Sequence, residues 1–167
     1  VSLSDEDWAS YCEAHSAILP KLVVEITEEE EMNERELERK RNVPGAPGVF
    51  ALDDYGSGYS NGNSLLTVSP KYVKVDMAII RGIDTDADKQ QFLMTLIDYA
   101  HPRGVQVLAE GVETLSELRK VLEMGVDLLQ GYCLARPAAE PGAIDEKAAE
   151  VIAEVESQKA EREEAGS

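Results

Sequence analysis

The chain has 167 residues, with 33 Asp and Glu against 16 Lys and Arg, a formal charge of −17, and 43% hydrophobic residues. That length and apolar share suit one folded domain with a real core, and the acidity excludes the broad basic surface that a DNA or RNA polymer needs. No apolar run reaches the ~18 residues of a membrane span, and no basic-then-apolar start resembles a signal peptide, so the expected compartment is the cytoplasm.

In chain order, Val1-Ser2-Leu3 reads as the end of a strand. Ser4 then caps a helix predicted from Asp5 to Ile18. Leu22 to Thr27 is a β-branched run with Val23, Glu25 and Thr27 on one side. Glu29 to Arg41 is polar and helix-favouring, and its acids at Glu28 to Glu31 suit a first turn. Strands are predicted over Val49 to Asp54 and over Tyr72 to Asp76. Lys89 to Ala100 repeats Phe92, Leu93, Leu96, Ile97 and Ala100 at a helical period, and Val105 to Glu110 is the next strand. Leu115 to Met124 is a helix with Gly125 placed to end it, and Leu128 to Tyr132 is the last strand. The acidic stretch from Ala138 to Ser167 reads as a solvated helix fraying into a tail. Cys12 and Cys133 lack any CxxC spacing and are expected as ordinary reduced thiols; His15 and His101 lack ligand-like spacing.

Strands joined by crossover helices imply parallel pairing. Each strand ends in polar groups: Glu25; Asp53 with Asp54; Lys74 with Asp76; Glu110; Gln130. In a (β/α)8 barrel the C-terminal strand ends form the functional face. An open doubly wound sheet is the alternative, but no G-x-G-x-x-G follows the first strand. Eight strands close a barrel and five or six are legible, so the expectation is an incomplete one.

Acids at several strand ends are the hard oxygen ligands that Mg²⁺ or Mn²⁺ select. Two such ions can serve an in-line phosphoryl displacement. Asp53 and Asp54, adjacent and of like charge, would be reconciled by cations between them, with Gly56 and Gly58 letting the loop turn nearby.

Five strings then occur in order: V-E-I-T-E (Val24 to Glu28), A-L-D-D-Y-G-S-G-Y-S (Ala51 to Ser60), Y-V-K-V-D (Tyr72 to Asp76), L-A-E-G-V-E-T (Leu108 to Thr114) and L-Q-G-Y (Leu129 to Tyr132). Together they resemble the EAL domain, a family of cyclic di-GMP phosphodiesterases with a TIM-barrel-like fold, and correspond to about the C-terminal two-thirds of it. The resemblance implies metal-dependent hydrolysis of cyclic di-GMP to the linear dinucleotide, in bacterial second-messenger signalling. It implies Glu25, Asp53 and Asp54 as ligands of a two-metal Mg²⁺ or Mn²⁺ site. Lys74 would neutralise charge and orient the water, and Glu110 would act as base or metal partner. Asp76 joins Glu28, Glu113 and Gln130 in a supporting set, in which Glu28 and Glu113 hold the loop from Asp54 to Ser60 and Gln130 lies at the site's edge. The implied division is an incomplete phosphodiesterase domain over 1–140 and an acidic helix and tail over 141–167.

Two departures bear on this. No E-A-L or E-x-L precedes Glu25, and Ser2 stands where the family's N-x-S run places an asparagine ligand. The alternative expectation is therefore a degenerate, non-catalytic module that binds cyclic di-GMP or a protein partner. A third is a partial barrel whose open edge pairs with a second copy. Further signalling domains are common neighbours in the family. Without the other motifs, Asp53-Asp54 would read as a solvated loop start, Glu110 as a salt-bridge partner of Lys74, and Gln130 as a core amide. The loop Asn42 to Pro47 has no functional reading.

Overall fold

A computed structural model describes residues 4–27, 34–57, 63–140 and 142–165. Five strands form one sheet in the order β1-β2-β3-β4-β5, where β1 is Val23–Thr27, β2 Val49–Tyr55, β3 Tyr72–Val75, β4 Gln106–Ala109 and β5 Leu128–Leu129. β1 pairs with β2 in parallel, and β4 with β5 likewise. Strand order follows chain order with no reversal. A doubly wound sheet reverses its order at a switch point, so this is the order of a singly wound β/α fold. All five predicted strands are present; four have ends within one residue of those expected, and β5 stops three residues before the expected Tyr132. Val1 to Leu3, the expected end of a sixth, lie outside the described residues.

The chain divides into two compact units, 1–73 and 74–167. In the first, Val23–Val49 and Thr27–Asp53 mark the β1–β2 register. Phe50, Ala51 and Leu52 are buried there with Ile26, Leu19 and Cys12. Helix α1, Asp5–Ala14, starts as expected, with the Ser4 hydroxyl accepting from the Asp7 N–H. It stops four residues earlier than predicted: His15 ends it, and Leu19–Lys21 form a separate 3-10 turn around Pro20 that buries Leu19. Helix α2 is Glu34–Arg41; residues 28–33, where the prediction began it, are not described. The loop without a functional reading lies against α1. Gly45, at φ 80°, is close to Ser16 and to the Cys12 carbonyl.

β3 and β4 alternate: Val73, Val75, Val107 and Ala109 are fully buried, while Tyr72, Lys74, Gln106 and Leu108 are half-buried. Helix α5, Ala87–Ala100, buries Leu93, Leu96, Ile97 and Ala100 on one face. Helix α6 is Leu115–Met124 as predicted, ended by Gly125 at φ 95°. Two short helices were not foreseen: α3, Asn63–Val68, in the first unit, and α4, Met77–Ile80, in the second. Helix α7 is Glu146–Ala165. The expectation of a solvated helix is corrected here: Ala148, Val151 and Val155 are buried in a seam on α6, flanked by an Arg119–Glu154 ion pair at 2.7 Å. An apolar stripe at i, i+3 and i+7 is enough to dock a helix whose other faces are acidic.

Both free cysteines have thiols raised by burial, Cys133 with a further push from Asp145 and Glu117. His101 pairs with Asp127 at 3.0 Å, which also accepts the Val107 N–H at 2.7 Å, so its role is structural. Among the described residues no helix is long and apolar enough to cross a membrane.

Replacing the fully buried Leu118 by alanine should cost roughly 2–5 kcal/mol, whereas Glu156→Ala on the exposed side of α7 should stay within about 0.5 kcal/mol. Urea unfolding of both variants checks this, and equal costs would contradict the burial of Leu118 against an exposed Glu156.

Candidate active site

Polar residues stand at each strand's C-terminal end because the apolar run stops there and the chain leaves the sheet. In the first unit Glu25 lies opposite Ala51, on the exposed side of β1, and Thr27 lies opposite Asp53. Asp53 is half-buried and Asp54 exposed. Asp54 has φ 55°, a left-handed backbone that non-glycine residues adopt only when their surroundings hold them there. Gly56 follows at φ 96°. The two successive carboxylates offer an all-oxygen donor pair, and Glu25 stands on the neighbouring strand opposite Ala51. That chemistry suits Mg²⁺ or Mn²⁺ rather than a thiophilic metal. Glu28 and the loop over 58–62 lie outside the described residues.

In the second unit the strand ends are fixed by backbone hydrogen bonds. The Glu110 N–H donates to the Val75 carbonyl at 3.1 Å, and the Gln130 N–H donates to the Ala109 carbonyl at 2.9 Å. Glu110 and Gln130 thus follow β4 and β5 on successive steps of one edge. Lys74 Nζ lies 3.0 Å from Glu110 Oε1, with side chains only 12% and 15% exposed. An ammonium this shielded needs a negative partner, and the opposed charges fix each other's position. Asp76, just past β3, caps α4 by accepting the Ala78 N–H at 2.7 Å. Its role here is that of an N-cap residue.

Beside this edge is a cavity of about 510 Å³ whose lining includes Arg81, Glu110, Glu113, Gln130, Tyr132 and Arg136. Glu113 pairs with Arg81, and the Arg136 guanidinium sits 5.0 Å from the centre of the Tyr132 ring. The expectation placed Glu113 against the loop from Asp54 to Ser60; its described ion-pair partner is Arg81. Guanidinium groups, an aromatic ring and an amide together suit an anionic ligand carrying flat rings.

The turns bounding the cavity are close-packed. A Cβ on Gly131 would collide with the Val112 backbone, and one on Gly111, itself at φ 67°, would stand 2.6 Å from Met77 Cβ. The Val112 N–H meanwhile donates to the Gln130 carbonyl at 3.1 Å.

Two residues were not foreseen. Arg81 carried no sequence signal. Glu117 did, since Thr114-Leu115-Ser116-Glu117 has the capping-box pattern, and the structure has that box. Glu117 is 5% exposed. Burial pushes its carboxyl up, but hydrogen bonds from the Gly82, Glu113 and Thr114 N–H groups and the Thr114 hydroxyl outweigh this and hold it below the ordinary value.

The EAL domain model matches residues 1–137. The chain belongs to the EAL domain family, and its singly wound sheet is the corresponding part of that family's TIM-barrel-like (β/α)8 fold. A probable cyclic di-GMP phosphodiesterase of Escherichia coli K12, PdeG, is 32% identical over 118 residues, which are 70% of this chain and 23% of that protein. The chain therefore spans less than a quarter of this curated relative. A standalone versatile EAL protein from Vibrio cholerae O395, in its c-di-GMP bound form, superposes with a TM-score of 0.68 at 30% identity, covering 84% of this chain and 60% of that one. Klebsiella pneumoniae BlrP1, in a manganese/cy-diGMP complex at pH 9.0, superposes with a TM-score of 0.69 at 29% identity, covering 80% of this chain and 35% of that one.

Because the Glu117 carboxyl is held low, the folded state takes up its proton less readily than the unfolded state does. Its stabilising contribution is complete above the ordinary value of 4.5 and is lost as pH falls through the lower folded-state value. Urea unfolding of wild type and Glu117→Gln should differ by a constant amount from about pH 7 down to that ordinary value, then converge at lower pH. A gap that widens on acidification would contradict the assignment.

Gly131→Ala should destabilise by roughly 1–3 kcal/mol through overpacking against Val112. Thermal unfolding would show it, and an unchanged midpoint would contradict the close approach.

Proposed function

We propose that this chain carries part of a metal-dependent phosphodiesterase that hydrolyses cyclic di-GMP to the linear dinucleotide. The observation that carries the reading is the shielded Lys74–Glu110 pair at the strand ends, beside a cavity lined by arginine, tyrosine and glutamine. Membership of the EAL family supports it, as do the cyclic di-GMP and manganese complexes of the Vibrio and Klebsiella proteins.

Glu25, Asp53 and Asp54 would hold Mg²⁺ or Mn²⁺. Bound there, the ions supply Lewis-acid stabilisation of the developing phosphoryl charge. Glu110 accepts the proton of the attacking water, whose oxygen forms a new P–O bond as one phosphodiester P–O bond breaks and the ring opens, the departing ribose oxygen taking up a proton from solvent to become a hydroxyl. Lys74 holds the Glu110 carboxylate in place, and its ammonium offsets charge at the phosphate. Gln130 and the arginines of the cavity wall orient the dinucleotide. Glu28, Glu113 and Asp76 support the surrounding turns.

Full-length protein with Mg²⁺ or Mn²⁺ should convert cyclic di-GMP to one linear product on chromatography. Asp53→Asn and Lys74→Ala should each reduce turnover by at least about a thousandfold, the scale at which removing a preorganised charge stops catalysis. Undiminished turnover in either variant would refute the assignment. Replacing Mg²⁺ by Ca²⁺ should inhibit, because the looser coordination of Ca²⁺ suits in-line geometry poorly. Tight binding by calorimetry with no product from the metal-loaded wild type would assign the chain to a non-catalytic, ligand-sensing role instead.

A further inference from the structure

Glu117 does more than its helix needs. A capping box requires only that its carboxylate accept the N-cap N–H, here that of Thr114 at 3.0 Å. The same Oε2 also accepts the Glu113 N–H at 3.0 Å, and Oε1 accepts the Gly82 N–H at 2.8 Å, from a turn 35 residues earlier in the chain. Gly82 directly follows Arg81. One buried carboxylate therefore grips the backbone on both sides of the Arg81–Glu113 ion pair, and both members of that pair line the cavity beside Glu110. The pair itself is half-exposed, at 50% and 41%. Exposed ion pairs hold their own geometry weakly, so the buried anchor beneath sets where the guanidinium and carboxylate stand.

We infer that Glu117 is a positioning residue for the ligand cavity: it fixes the Arg81 and Glu113 backbones and so shapes the wall that a cyclic dinucleotide meets. This rests on the proposed function for the identity of the ligand, but not for the anchoring itself. Glu110 is held independently, by its own N–H on Val75 and by Lys74. Loss of the anchor should therefore weaken ligand binding and leave the chemical step largely intact.

Glu117→Gln tests this, because a carboxamide supplies one acceptor oxygen where three N–H groups now use two. The control is Thr114→Ala. It removes the hydroxyl, which accepts the Glu117 N–H at 3.2 Å and also donates to the carboxylate, but keeps the carboxylate and its three backbone N–H bonds. In the full-length protein with Mg²⁺, Glu117→Gln should raise KM about tenfold with kcat little changed, the signature of lost ground-state binding. Thr114→Ala should lower stability without moving KM. By hydrogen exchange, the Gly82 and Glu113 amides should speed up in Glu117→Gln and not in Thr114→Ala. If Glu117→Gln does not fold, Glu117→Asp replaces it, keeping both oxygens one methylene short, and should show the same KM increase to a smaller degree. Equal KM values for the anchor variant and Thr114→Ala would reduce Glu117 to a helix cap and overturn the inference, as would unchanged Gly82 and Glu113 exchange. If the wild type neither binds nor hydrolyses cyclic di-GMP, the functional proposal fails by itself. The anchoring claim then stands or falls on the exchange of those two amides.

Discussion

A lysine placed in the middle of a short, well-covered strand cannot leave its charge unanswered. Lys74 sits between the fully buried Val73 and Val75, and its ammonium meets Glu110 at 3.0 Å. Truncating either partner would strand a shielded charge, which is why such pairs tolerate loss of one member poorly even where their net worth is small. The pairing also dictates geometry. It works only if β3 and β4 end level with each other, and the Glu110 N–H on the Val75 carbonyl supplies that stagger. The next step, the Gln130 N–H on the Ala109 carbonyl, repeats it for β5. Parallel strands joined by helices all present the same end, so one ion pair and two backbone bonds define the edge from which the cavity is built.

What the sequence revealed follows from where its signals are local. Runs of five or six residues rich in β-branched or aliphatic side chains located all five strands, because these residues and the turn formers that bound them are local signals. Helix α6 was legible to the residue, since Thr114 and Gly125 mark its ends chemically. Helix α4 was not: Met77-Ala78-Ile79-Ile80 is one turn long and too short to display a period. Helix α7 was seen, but its acids hid the stripe at Ala148, Val151 and Val155, and only the partner surface on α6 reveals that the stripe is covered. The early end of α1 depended on burying Leu19 just before Pro20, a tertiary demand that propensity does not carry.

The same division holds for the site. Lys74 and Glu110 were readable because charge in a strand is anomalous and requires a reason. Glu117 was not singled out, although its capping box is visible in four consecutive letters, because its reach to Gly82 is a property of the fold. Arg81 offered nothing: an exposed arginine after a short apolar stretch looks like any surface residue, and only its contact with Glu113 brings it to the cavity.

Within eight residues the loop after β4 uses three carboxylates in three electrostatic settings, and the differences decide what each can do. Glu110 is shielded and faces an ammonium. Glu113 is half-exposed and faces a guanidinium. Glu117 is buried and faces neutral donors, three backbone N–H groups and the Thr114 hydroxyl. The third can anchor but cannot exchange protons readily, because three donors already fill its oxygens. The first is positioned by an ammonium, a mobile-proton partner of opposite charge, instead of by fixed backbone donors. Arg81 spends its charge on Glu113, so it contributes direction and hydrogen-bond donors more than field. With a formal charge of −17 across the chain, long-range attraction of a polyanion is not available to this fold. Any phosphate that approaches must therefore be met at contact distance, by the short-range donors that line the cavity.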